Sequence, residues 1–289
     1  MRRREFIAGL GSAAALPLAA RAQPAERVRR IGVLTTRDET DPVAKLQLSA
    51  LMQALADLGW TDGRNVRTDL RWAGGDTNRT QAFAKELVGV QPDIILTNSI
   101  LATTAVQRET QTIPIVFVNV GDPVASSIVA RLDRPSGNIT GFANYEASLG
   151  GKWLELLSEI APGLKRVAIM FNPDTVPNAS IFMPSFETAA RLLKVVPTTA
   201  PVHTDVEIET AIIALGREPR GGLVVMADSF MTLRRAPIIL AAARNQIPAV
   251  YSASFFAREG GLLSYGPDPV DIFRRAAPYV DRILRGAKP

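Results

Sequence analysis

Short apolar runs alternate with longer segments in which apolar residues recur every three or four positions, from Arg30 onward. Arg30-Ile31-Gly32-Val33-Leu34-Thr35 reads as a buried strand. Val43, Leu51, Leu55 and Leu58 then follow at helical spacing, and Gly59 stands where a left-handed residue closes a helix. Residues 65–72 set Val66, Leu70 and Trp72 among polar neighbours and predict a strand, and residues 80–88 predict a helix. Asp93-Ile94-Ile95-Leu96-Thr97 predicts a buried strand ending in the polar turn Asn98-Ser99, residues 100–107 a helix, and residues 113–118 another strand. Pro114 fits there because a first or edge position needs no ladder donor. Strands alternating with helices in this way predict βαβ units around a parallel sheet.

The second half replays the first. Residues 166–170 echo 30–34, residues 222–226 with Asp228-Ser229 echo the run ending Asn98-Ser99, and residues 246–251 echo 112–117. Arg30 and Arg166, Ser99 and Ser229, and Pro114 and Pro248 stand 136, 130 and 134 residues apart. Three anchors at nearly one offset predict two α/β lobes of like topology, in preference to one large sheet, and 289 residues suit two domains.

Composition narrows the chemistry. Hydrophobic residues make up 47% and charged residues 21%, as in ordinary globular domains. The net charge of +5 includes Arg2, Arg3, Arg4 and Arg21 against Glu5, leaving +2 after residue 22. With no basic stripe interleaved with aromatics, no nucleic-acid partner is expected. The absence of Cys excludes disulfides, thiol nucleophiles and Cys-ligated metals. The single His203 excludes a two-His metal site and sits in a polar run that reads as a solvated loop. There is no Gly-Lys-Ser/Thr phosphate loop, no His-Glu-x-x-His and no Gly-x-Ser-x-Gly elbow. Catalysis, cofactor and metal are therefore not expected.

Residues 2–22 have the order of an export signal: a basic start, a short apolar run from Ile7 to Ala20, and Ala20-Arg21-Ala22 as a small-x-small cleavage site. The apolar run is shorter than the roughly 20 residues of a spanning helix. Arg3-Arg4-x-Phe6-Ile7 resembles a twin-arginine signal, so the mature chain is expected to start near Gln23 in the periplasm. Gly9-Leu10-Gly11-Ser12-Ala13-Ala14 mimics a dinucleotide fingerprint, but no strand precedes it.

Ligands of open parallel sheets bind beyond the carboxyl ends of the strands. Those ends carry Thr35-Thr36, Asn98-Ser99 and Asn119-Gly121-Asp122 in the first half, and Asn172-Asp174, Asp228-Ser229 and Ser252-Ser254 in the second. Short hydroxyl, amide and carboxylate side chains orient a polar solute, and they also cap helices. Asp122 and Asp228 would pair with a ligand ammonium, though Asp122-Pro123 equally suits a cap followed by proline. Phe142, Tyr145 and Trp153, beside Gly141, Gly150 and Gly151, form an aromatic group near the expected lobe crossing. Trp153, Leu154, Leu156 and Leu157 suit a core helix face, and Tyr145 and Phe230 are candidates for stacking on a solute or for the core.

The sequence resembles the ABC transporter substrate-binding family, in the branch that includes tryptophan-binding lipoproteins. The matching stretches are Arg30-Ile31-Gly32-Val33-Leu34, residues 113–123, Gly137-Asn138-Ile139-Thr140-Gly141-Phe142, residues 150–157 and residues 260–286. The resemblance implies a type I periplasmic-binding-protein fold, two Rossmann-like lobes with parallel sheets joined by a hinge, closing on an amino acid or similar small metabolite. It implies an inner-membrane ABC permease as partner and a monomeric receptor. Family pattern places the crossings near residues 138–141 and 252–257, giving lobe 1 as 28–140 plus 257–287 and lobe 2 as 141–256. Ligand positions carried over are Ser99, Asp122, Asp228 and Ser252, with Tyr145 and Asn172; the strand-end reading adds Thr36, Asn98, Gly121 and Ser229. Relatives usually continue into a further strand and helix beyond residue 289. Asn98-Ser99-Ile100-Leu101 replaces a Thr-Pro turn common in relatives, so tryptophan specificity does not transfer. A sensing module for a membrane signalling protein and a cleft-based enzyme are the alternative readings.

Overall fold

The computed structural model describes residues 27–133, 135, 137–176, 179–217 and 220–289. The export signal and the Gly9–Ala14 mimic lie outside the described residues.

In the first half, β1 (Arg29–Thr35), β2 (Val66–Trp72), β3 (Ile94–Asn98), β4 (Ile115–Gly121) and β5 (Ile139–Tyr145) form a parallel sheet in the order β2-β1-β3-β4-β5. Helices α1 (Pro42–Asp57), α2 (Thr77–Gly89) and α3 (Ile100–Glu109) connect the strands. Successive strand residues point to opposite faces, so an uninterrupted apolar run serves two cores. Ile31, Val33, Leu96 and Val118 pack under α1, while Leu34, Ile95, Ile115 and Phe117 face α2 and α3. Pro114 lies just before β4, an interior strand, so its tolerance rests on first position and not on an edge. Gly59 follows α1 with a φ of 94°, as a helix-ending glycine should.

The second half builds β6 (Arg166–Phe171), β7 (Val196–Pro201), β8 (Gly221–Val225), β9 (Ala249–Tyr251) and β10 (Leu263–Ser264) in the order β10-β9-β8-β6-β7. Read in chain order, this is the arrangement of the first sheet, so the echoed runs occupy equivalent strands: β1 and β6, β3 and β8, β4 and β9. One face is covered by α4 (Leu149–Ile160) and α5 (Met183–Leu193), the other by α6 (Asp205–Arg217), α7 (Ser229–Leu233), α8 (Arg235–Arg244) and α9 (Ser254–Arg258). Gly150 lets α4 approach the segment before α5; a Cβ there would stand 2.3 Å from the Phe182 carbonyl oxygen. The last helix, α10 (Pro269–Leu284), returns to the first sheet and lays Phe273, Ala276, Ala277 and Val280 beside α1.

The crossings differ from the family-based expectation. β5 stays hydrogen-bonded to β4 as far as Tyr145, and β10 pairs with β9 through Ser264. The chain therefore passes between sheets at residues 146–148 and 265–268, after the fifth strand of each half, and not near 138–141 or 252–257. Residues 141–145 belong to the first sheet and residues 257–264 stay with the second.

The aromatic group splits for the same reason. Phe142 meets Tyr279 of α10 edge-on at 4.9 Å, Trp153 is fully buried beside Phe182 at 5.4 Å, and Tyr145 alone turns to the space between the lobes. Trp153 with Leu154 and Leu157 makes the expected core face of α4. Phe230 packs in the second lobe beneath the Arg234 guanidinium, 3.7 Å from its ring centre, and does not stack toward the cleft. His203 is half-exposed, with Glu207 at 3.4 Å and Asp174 at 3.8 Å.

Candidate functional site

The carboxyl ends of the two sheets face a shared cleft that opens to solvent. From the first lobe it receives Thr36 and Arg37 after β1, Gln47 from α1, Asn98, Ser99 and Ile100 at the β3–α3 turn, Asn119 and Gly121 at the end of β4, and Tyr145. From the second come Thr175, Val176 and Phe182, then Asp228, Ser229 and Thr232 around α7, and Ser252, Ala253 and Phe255 after β9.

Eight sequence-predicted positions meet here: Thr36, Asn98, Ser99, Gly121, Tyr145, Asp228, Ser229 and Ser252. Asp122 and Asn172 do not line the cleft. Asp122 has a φ of 35° and its carboxylate accepts from the Ala125 N–H at 2.9 Å, capping a turn with no helix behind it. Asn172 is buried; its amide oxygen accepts from the Asp174 and Thr175 N–H groups at 2.8 and 3.2 Å. Asn119, named among the strand ends, lines the cleft too, whereas Arg37, Gln47, Thr175, Thr232 and Phe255 went unforeseen. Arg37 is one residue beyond the Thr35-Thr36 strand end, a signal a wider window would have caught.

On the first lobe the strand ends are tied side to side. Asn119 donates to Asn98 at 2.8 Å, Asn98 to Thr35 at 3.2 Å, and Thr36 to Ser99 at 3.3 Å. Ser99, with a φ of 109°, caps α3 by accepting from the Ala102 N–H at 3.2 Å. That hydroxyl is committed to its helix, so the wall is preset.

Asp228 caps α7. Its oxygens accept from the Met231 N–H at 2.6 Å and the Asn172 N–H at 3.0 Å, with the Thr175 hydroxyl and Phe230 N–H as further donors. Burial pushes its carboxyl up from 3.8 to about 6, against those hydrogen bonds, which favour the anion. A carboxyl raised above its unfolded value holds its proton more firmly in the native state. Its contribution to stability is therefore complete below about pH 4 and fades as pH rises through 6. Between pH 7 and pH 4, unfolding free energy of the wild type is expected to gain roughly 2 kcal/mol on that of Asp228→Asn. Urea titrations across that range check this; a pH-independent difference would show an unperturbed carboxyl.

Charges bridge the lobes beside the cleft. Asp41 caps α1 through the Val43 N–H at 3.0 Å, lies 3.3 Å from Arg37, and takes two contacts from Arg235 of the second lobe at 3.1 and 3.5 Å. Arg235 also grips Glu259 at 2.7 and 2.9 Å. Both guanidiniums lie over the Phe255 ring, that of Arg37 at 5.2 Å from its centre and that of Arg235 at 5.8 Å. Burial lowers the Arg37 guanidinium to about 10, offset by Asp41 and reinforced by Arg235; it stays charged at neutral pH. Arg37 Nη1 and Gln47 Oε1 are buried without a hydrogen-bond partner. Val43 packs on the second lobe's core, and a Cβ on Gly75 would stand 2.6 Å from Leu233, so the lobes are in contact.

Two parallel-sheet lobes of one topology, linked by two crossings and offering polar strand ends to a common cleft, define a type I periplasmic-binding-protein fold. The family model described as ABC transporter substrate binding protein matches residues 40–289. The chain belongs to that family, and it is a substrate-binding protein of an ABC transporter. A tyrosine-binding protein of Clostridioides difficile (strain R20291) is 28% identical over 235 residues, covering 81% of this chain and 67% of that relative. A conserved domain protein from Vibrio cholerae superposes with a TM-score of 0.83 at 25% identity, covering 91% of this chain and 87% of that one. An ABC domain from Streptococcus pneumonia in complex with L-Trp gives 0.82 at 22% identity, over 90% and 86%. The ligand-free, open form of a substrate-binding protein from Clostridium difficile gives 0.65 at 25% identity over the same shares.

Proposed function

We propose that this chain is an exported receptor that captures a small polar solute, an amino acid or a metabolite of like size, between its lobes and presents the closed form to an inner-membrane permease. The reading is of a monomer, sent to the periplasm by a twin-arginine signal cleaved near Ala22, that binds without chemistry. The observation that carries it is the cleft itself, lined from both lobes by the tips of equivalent strands. A solute touching both walls favours the closed state by its differential affinity for it. Asn98, Ser99, Tyr145, Asp228, Ser229 and Ser252 are the proposed contacts, joined by Thr36 and Gly121 and by Arg37, which the strand-end rule did not reach.

A thermal-shift screen of the mature chain against amino acids, small acids and purines tests this. Ligand at a hundred times its Kd stabilises by about 2.7 kcal/mol, a rise in Tm of roughly 5–10 °C for a chain of this size. No shift with any solute, or turnover of a bound one, would count against the receptor reading.

A further inference from the structure

Two buried atoms of cleft-lining residues lack a hydrogen bond: Arg37 Nη1, which meets Asp41 only as an ion pair at 3.3 Å, and Gln47 Oε1. Their residues are only 6% and 1% exposed. An unmade hydrogen bond on a buried group is costly, and more so when the group is charged. Arg37 has the poorer share of Asp41, with one contact at 3.3 Å against two from Arg235 and one from the Val43 N–H. Arg235 has Glu259 besides, whereas Asp41 is the one carboxylate paired with Arg37 among the described residues, beside the Phe255 ring and Tyr145. A planar guanidinium braced by an aromatic ring, with donors to spare, suits a carboxylate held bidentately.

The cleft has no comparable partner for an ammonium. Asp228 is the one acidic side chain among the described lining residues. Its four protein donors, Met231, Asn172, Thr175 and Phe230, fill the roughly four acceptor positions of a carboxylate. The free acceptor, Gln47 Oε1, is neutral, and suits a hydroxyl. Tyr145, Phe182 and Phe255 supply wall for an apolar body.

Given a solute receptor, the proposal on which this one rests, we infer that the ligand is a small hydroxy-carboxylic acid with an apolar or aromatic body. Its carboxylate sits on Arg37 and its hydroxyl on Gln47, and no ammonium is required. Calorimetric titration of the mature chain tests this with 2-hydroxy acids stepped from lactate to 3-(4-hydroxyphenyl)lactate, each beside the corresponding L-amino acid and amine. At least one hydroxy acid is expected to bind ten-fold or more tighter than its amino acid, and no amine to bind. Arg37→Gln is expected to lose about 30-fold or more in affinity, with Arg37→Lys, which keeps charge without the fork, recovering part. Circular dichroism and urea midpoints establish that both variants fold; the ligand series in the wild type stands independently of them. L-amino acids bound more tightly than the hydroxy acids, or undiminished hydroxy-acid binding by Arg37→Gln, would overturn the inference and leave the receptor reading standing. So would binding of a purine or polyol with no acid bound. A chain that binds none of these solutes would overturn both.

Discussion

Replacing Asp41 with alanine is expected to cost about 3–5 kcal/mol of folding stability. The residue is 6% exposed, and its carboxylate serves two guanidiniums, Arg37 from its own lobe and Arg235 from the other. Removing it leaves two like charges facing one another in a poorly hydrated site, which is why breaking a buried pair costs far more than the pair itself contributes. Loss of the α1 cap adds about 1 kcal/mol. Urea unfolding of Asp41→Ala, Arg235→Met and the double variant measures the coupling, and the double variant is expected to lose less than the two single losses together. A cost below about 1 kcal/mol would mean that water screens the pair as it does on an open surface. Because the pair joins the lobes, X-ray scattering should also show an expanded Asp41→Ala chain.

The second large effect is at Gly266, in the second crossing. A Cβ there would stand 1.9 Å from the Ser252 carbonyl oxygen, against the roughly 3.3 Å at which carbon and carbonyl oxygen ordinarily meet. Both partners are backbone, so no side chain can swing aside. Gly266→Ala must push the crossing away from the end of β9, and about 3 kcal/mol of stability is the expected loss. Ser252 lines the cleft, so solute affinity should fall as well. Gly89→Ala at the end of α2, where nothing lies within 4 Å, is the matched control and should be neutral or slightly stabilising. Equal urea midpoints for the two variants would show that the crossing yields at little cost.

The strands that the apolar pattern reveals are those sandwiched between helices. β1, β3, β4 and β8 bury both faces, so their apolar runs are uninterrupted. β7, Val196–Pro201, is an edge strand with no buried residue and two prolines, and β10 is two residues long; neither leaves a readable pattern. β5 hides for another reason. Gly141 looks like a turn residue, yet it lies in a strand because a Cβ there would stand 2.2 Å from the Phe117 carbonyl oxygen. The family pattern, which set the first crossing near 138–141, therefore ended the first lobe several residues before β5 does. Strand-end logic reached most of the cleft, since topology alone carries those turns to one place. It could not reach Gln47, which projects from within a helix, nor see that Asp122 bends back on its own turn. Those facts depend on side-chain direction and on which donors are already engaged.

The two crossings run side by side: the position of a Gly266 Cβ is 3.7 Å from the Tyr145 ring, and Trp153 of α4 donates to the Tyr265 carbonyl at 2.8 Å. Two bodies fastened by a pair of adjacent straps can swing like a door but resist sliding or swivelling. Each strap also delivers the helix that roofs the other body, α4 to the second sheet and α10 to the first. The dependence is one-sided: the second sheet finds all its covering helices within the stretch between the straps, whereas the first sheet waits for α10, so a chain cut after the first strap would leave the first core open on one face.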